Sequence, residues 1–298
     1  MKERDRQMPL VNLFEKCSGF DYLQEIYRIS DQVLARIIRQ CIIPKGIDYI
    51  VPSNSVSIFL KETGIHPDTF QLNEVKLHCK HVTTCYDNGK SILRNGLLPL
   101  NNLLEGDSDL SIFLAENGIH ISPSNRYIYY YDQKWEIPLT HSDEFLNLSS
   151  KLYHDNGEIE AFISGSEEDI LSYSNIRHYP EILNTIKDTI YKLVYKDIDL
   201  GRKWHEKNPQ CFIAEFDVDI NAMSYINSLL SYEDAPGVYQ ELEEFVEYGE
   251  TPLFWKNEWL IRNCLDNACP GTYDNKKTVG IKNDVHIIGS MINLRQVK

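Results

Sequence analysis

The stretch 76–97, KLHCKHVTTCYDNGKSILRNGL, decides how the chain is read. Its first part, Val75–Thr84, reads as a strand and displays His81 near its end. A short helix follows over Gly89–Asn95. Gly96 closes it, because the left-handed geometry of a helix C-terminus suits glycine.

Working outward, apolar residues recur at helical spacing over Asp21–Ile43, and the pattern breaks at Pro44-Lys45-Gly46. A second helix after Ser53 presents Val56, Phe59 and Leu60 and stops near Gly64. Residues 1–72 therefore read as a helical N-terminal region. Beyond them, strands are expected at Gly118–Ser122, Ile128–Asp132, Cys211–Ile220, Leu253–Ile261 and Val285–Leu294. Helices are expected at Tyr179–Tyr195 and Gln240–Tyr248, and a hairpin turn at Asp274–Lys277. Strands and helices do not alternate regularly, which gives an α+β class.

The 298 residues include 30 basic and 44 acidic side chains, a net charge of −14. Residues 141–250 hold 23 of the acidic groups against 8 basic ones, so the imbalance belongs to one stretch. This disfavours a nonspecific nucleic-acid coat, which needs a basic face, but leaves room for a local groove. Seven scattered cysteines suit a reducing compartment. The start, MKERDRQMPL, has no apolar core of a signal peptide, and no window approaches a membrane span. The expectation is a cytoplasmic protein without a membrane partner.

Three further patterns carry chemistry. Gly118-Ile119-His120-Ile121-Ser122 precedes the aromatic run Tyr127–Tyr131, and Trp255–Ile261 sets Glu258 inside an aromatic and aliphatic segment. A carboxyl facing a core there has its pKa raised by desolvation; at an edge it pairs with Lys256 or Arg262. His78, Cys79, His81 and Cys85 miss the spacing of zinc knuckles, as do Cys264 and Cys269. Buried free cysteines explain them better, so no metal is expected. Cysteine–histidine dyads such as Cys85 with His81, or Cys211 with His205, are not readable from local sequence. Phosphate-binding glycine loops are absent from the sequence.

Together and in order, His81-Val82-Thr83, Asn95-Gly96-Leu97, Gly118–Ser122 and Asn257-Glu258-Trp259-Leu260-Ile261 resemble the ADP-ribosyltransferase superfamily. The resemblance is to its histidine–tyrosine–glutamate branch, the poly-ADP-ribose polymerase and diphtheria-toxin-like enzymes. It implies a mixed or antiparallel split β-sheet core over 73–298, with 133–210 as an acidic insert. It also implies cleavage of NAD at the nicotinamide–ribose bond and transfer of ADP-ribose to a protein or nucleic acid, as a toxin or defence effector would do.

In that frame Glu258 is the catalytic carboxylate. His81, Val82, Thr83, Gly118, Ser122 and either Tyr130 or Tyr131 hold the NAD, a tyrosine stacking on the nicotinamide. Val82 stands where the family usually has glycine, and His120 where it has an aromatic. Glu241-Leu242-Glu243 imitates the Glu-x-Glu of a sister class, but its helical spacing reads as a solvated face. The competing class is a non-enzymatic interaction module whose acidic middle binds a basic partner.

Overall fold

The computed structural model describes residues 8–41, 43–45, 48–50, 54–65, 75–139, 142–154, 158–225, 253–268 and 276–297. The strands are β1 (Leu10–Val11), β2 (Ile43–Lys45), β3 (Asp48–Ile50), β4 (Lys76–Cys85), β5 (Ile119–Ser122) and β6 (Tyr127–Tyr130). After them come β7 (Gln133–Glu136), β8 (Ile159–Ser164), β9 (Gln210–Asp219), β10 (Met223–Tyr225), β11 (Lys277–Ile281) and β12 (Asn293–Gln296). The longer helices are α1 (Ser18–Tyr27), α2 (Asp31–Cys41), α3 (Ser55–Thr63), α4 (Lys90–Asn95), α5 (Leu100–Glu105) and α6 (Asp109–Glu116). They continue with α7 (Leu146–Ser149), α8 (Glu167–Leu171), α9 (Ile182–Val194), α10 (Leu200–His205) and α11 (Leu253–Ala268).

The protein is α+β. One sheet runs in the order β10-β11-β8-β4-β9-β12, with β1 added parallel to the start of β4. β12 pairs antiparallel with β9, and β5-β6-β7 form a separate antiparallel meander. Two compact units divide the chain: Met1–Cys79, Ala161–Asp169 and Asp217–Gly280 form one, and Lys80–Glu160, Ile170–Phe216 and Ile281–Lys298 the other.

In the first unit α1 and α3 pack on α11. Gly19 permits the contact, since a Cβ there would lie 2.6 Å from the Cα of Cys264. Asn267 locks it: its Oδ1 accepts the Gly19 N–H at 3.1 Å, and its Nδ2 donates to the Leu13 carbonyl at 2.8 Å. Leu23, Ile37, Phe59, Trp259 and Leu265 fill the core. In the second unit the meander and helices α5–α7, α9 and α10 surround Trp204, which is 1% exposed.

Several expectations are corrected. Leu253–Ile261 is not a strand but the first part of α11. The apolar run continues through Cys264 and Leu265 without glycine or proline, and a 16-residue element is too long for a typical strand. The helix expected over Asp21–Ile43 is two helices ending at Cys41, broken where Arg28 takes φ 51° and donates its N–H to the Gln24 carbonyl, and Ile43 opens strand β2. Val285–Leu294 is a 3₁₀ turn at Gly289–Met291 followed by β12. Strands β1, β2 and β3, within the region read as helical, and β7, β8, β10 and β11 were not foreseen. The expected helix Gln240–Tyr248 and most of the turn at Asp274–Lys277 lie outside the described residues.

Candidate functional site

β4 is buried at Leu77 and Cys79, then at Val82 and Thr84, so its in–out alternation slips by one residue at Lys80–His81. The slip leaves two adjacent half-buried polar side chains. Lys80 pairs with Glu215 of β9 at 3.4 Å. The Nδ1 of His81 lies 2.8 Å from the backbone carbonyl of Glu160 on β8. A carbonyl only accepts, so Nδ1 carries the proton and the neutral ring presents Nε2 as an acceptor. Burial pushes the His81 pKa below the usual value, which favours this neutral form.

Val82 is buried, and Thr83 is half-buried beside it. Thr84 and Cys85 are buried as the strand ends. The chain then turns through Asp87, whose Oδ2 accepts the Ser91 N–H at 2.5 Å and organises the start of α4. At the other end of α4, Gly96 has φ 79°, and Leu97 donates its N–H to the Ile287 carbonyl at 2.9 Å. A Cβ on Gly96 would meet the Ile287 oxygen at 2.0 Å, and one on Gly289 would meet the Leu93 oxygen at 1.8 Å. Backbone lies directly on backbone here, which is why two glycines are needed.

The meander gathers Gly118, Tyr130 and Tyr131 at one end. Tyr131 donates its N–H to the Gly118 carbonyl at 2.6 Å, and Ile119 pairs with Tyr130. Tyr130 is buried, whereas Tyr131 is 64% exposed and holds φ 50°, an uncommon conformation for a residue with a side chain. Its ring lies over Gly118, where a Cβ would be 2.7 Å from it. Tyr130, Tyr131, Asp132, Gln133, Val194 and Lys196 line an open cleft of about 310 Å³. Ser122 sits at the far end of β5, donating its hydroxyl to Glu105 at 3.2 Å. Strand rise over three residues puts it about 10 Å from Ile119. Gly118, Tyr130 and Tyr131 therefore share one end of the meander and Ser122 the other.

Glu258 lies in the other compact unit, on α11. It is half-buried and, among the described residues, has neither a hydrogen bond nor an ion pair. Burial alone pushes its carboxyl above the ordinary range. The paired-edge reading with Arg262 is thus not what the described residues display.

Metal-ligand geometry is confined, among the described residues, to Cys85, Asp87 and Asp109, whose ligand atoms lie within 4.8 Å of one another. Burial pushes the Cys85 thiol up to about 12, so without a metal it is protonated at neutral pH. His78 instead faces Asp217 at 2.8 Å.

Sequence reading missed β8 and Trp204. β8 supplies the carbonyl that orients His81, and its apolar run Ile159–Ser164, bounded by Gly165, carried a strand signal. The Trp204 Nε1 donates to the Thr84 hydroxyl at 3.1 Å, a contact 120 residues apart that no local pattern announces. No family model, curated protein or solved structure matches the chain. Among the described residues no helix is long and apolar enough to cross a membrane.

Proposed function

We propose that the protein is an ADP-ribosyltransferase that cleaves NAD at the nicotinamide–ribose bond and transfers ADP-ribose to a macromolecule. The observation that carries this reading is His81, held as one neutral tautomer with Nε2 left as an acceptor. Such a nitrogen suits the hydroxyl of a ribose. The neighbouring backbone of Val82 is the expected grip for the nicotinamide amide, and the exposed Tyr131 is the expected stacking ring. In the reaction the C1′–N bond breaks heterolytically and nicotinamide leaves with the electron pair. A nucleophile on the acceptor then captures the ribosyl cation and loses its proton; without an acceptor, water does so. Glu258 would stabilise the positive sugar and hold its 2′-hydroxyl.

A second reading is favoured by one observation. Glu258 lies on a helix, not on the late strand that the resemblance requires. That supports a non-enzymatic module whose acidic middle, 141–250, binds a basic partner.

Incubation with labelled NAD and total cell lysate, split by protease and nuclease treatment, separates the two. The transferase reading expects label on a macromolecule, thermal stabilisation by NAD, and loss of both labelling and NAD consumption in Glu258→Gln. Glu160→Gln is the control carboxylate, since only the backbone of Glu160 orients His81. Unchanged NAD consumption in Glu258→Gln overturns the assignment of that residue. Absent labelling and absent stabilisation together overturn the activity.

A further inference from the structure

The meander β5–β7 has two chemically different faces. Ile119, Ile121, Ile128 and Tyr130 point into the core around Trp204. The two-residue period of β6 turns Tyr127 and Tyr129 to the opposite side, where both are half-buried. Register then builds cross-strand rows on that side: His120–Tyr129–Lys134 and Ser122–Tyr127–Glu136.

The rings are close neighbours but tilted, by 42° between His120 and Tyr129 and by 59° between Tyr127 and Tyr129. His120 and Tyr129 centroids are 5.7 Å apart, and those of Tyr127 and Tyr129 are 6.3 Å apart. The Lys134 Nζ lies 3.4 Å from the Tyr127 centroid and 5.6 Å from that of Tyr129. At the turn, Arg126 pairs with Glu136 at 3.1 Å, with the arginine side chain 41% and the glutamate 59% exposed. Pairs of this kind contribute little to stability and exchange readily for another anion.

We propose that this face binds single-stranded nucleic acid, with bases stacking on Tyr127, Tyr129 and His120 and backbone phosphates meeting Lys134 and Arg126. Every unpaired base has a flat π face, so aromatic rings on an open sheet form a sequence-tolerant platform. Ring spacing near 6 Å matches one step of an extended strand, and the Lys134 ammonium, which lies over the Tyr127 ring in the free protein, uncovers that ring when it moves to the phosphate joining two bases. A duplex fits poorly because its bases are already stacked. A peptide fits less well too, since the face offers flat rings and a cation rather than the apolar pockets that anchor side chains. Tyr130 and Tyr131, nominated for nicotinamide, are not part of this face, and the binding does not require NAD chemistry.

The test is fluorescence anisotropy with labelled oligo(dT) and oligo(U) of about 12 nucleotides, without NAD, on the full chain. Two phosphate contacts give a slope of log K against log salt of about −1.4. Tyr127→Ala and Tyr129→Ala should each weaken binding about tenfold or more, while Tyr129→Phe stays within about twofold. Lys134→Gln should flatten the salt slope by about 0.7. Near-UV circular dichroism checks that each variant is folded, and the Tyr129→Phe and Lys134→Gln pair carries the test if an alanine variant is not. Three results each overturn the proposal: equal affinity for a hairpin duplex, alanine variants that bind like wild type, or an unfolded polypeptide that binds with the same ring dependence while the oligonucleotides do not. Failure here leaves the NAD assay untouched, so the two readings fall separately.

Discussion

The indole N–H of Trp204 donates to the hydroxyl of Thr84 across 3.1 Å, and both groups are buried. The bond fastens the end of the histidine-bearing strand to the core of the second unit, where Trp204 also meets Phe113 edge-on at 5.0 Å between ring centroids. Thr84→Val keeps the shape but leaves the indole N–H buried without an acceptor. The expected cost is about 1–3 kcal/mol, read as a lower denaturant midpoint with an unchanged slope. Thr84→Ser should recover most of it.

Gly96→Ala tests the close approach of α4 to Ile287. The substitution both strains a φ of 79° and drives a methyl into a carbonyl 2.0 Å away. A loss of about 2–4 kcal/mol is expected, with Gly64→Ala as a contrast, because that glycine has φ 70° but open space around it. Chemical denaturation of the two variants reads the difference, and equal losses would mean that the contact with Ile287 does not matter.

Glu258 gives a pH prediction whose sign is fixed by its raised pKa. The carboxyl is more acidic in the unfolded chain than in the folded one, so losing the proton favours unfolding. Wild-type stability should therefore fall as pH rises from about 4.5, the unfolded value, through the raised folded value. Glu258→Gln removes the penalty, and its melting temperature should exceed that of wild type at neutral pH but converge with it near about pH 4. A lower melting temperature at neutral pH would show that the carboxylate has a favourable partner.

His81 behaves in the opposite sense. Its folded pKa is lowered, so the unfolded chain takes up a proton more readily as pH falls. Stability should drop on acidification from about pH 6.5 down to the lowered folded value, and His81→Gln should flatten that part of the profile. Thermal melts across the range measure it. If the profile of His81→Gln follows wild type, the ring is not held neutral by its surroundings.

Local pattern was enough to find β4, α3, α4, α9 and β9 to within a few residues, because each carries its own period and its own stop signal, such as Gly64 and Gly96. It failed for α11. Ile261, Cys264, Leu265 and Ala268 do recur at helical spacing, but the window read as a strand, Leu253–Ile261, stops before that period completes. At the site, the sequence marked His81 and the tyrosines but not what sets their chemistry. The Glu160 carbonyl that fixes the histidine tautomer is 79 residues away, whereas the slip in alternation was there to be read, with Lys80 and His81 side by side between Cys79 and Val82. The backbone twist that exposes Tyr131 and buries Tyr130 is likewise a property of the turn, not of the residue types.

Gly96 and Gly289 bear on how far this chain can diverge. Each removes a side chain so that the other's segment can approach, Gly96 against Ile287 and Gly289 against Leu93. A larger residue at one position cannot be offset by a smaller one at the other, since nothing smaller exists. The pair is thus an evolutionary ratchet: drift elsewhere can be repaired by compensating changes, but drift here cannot. Distant kin of this protein should keep both glycines long after other signals around His81 have blurred.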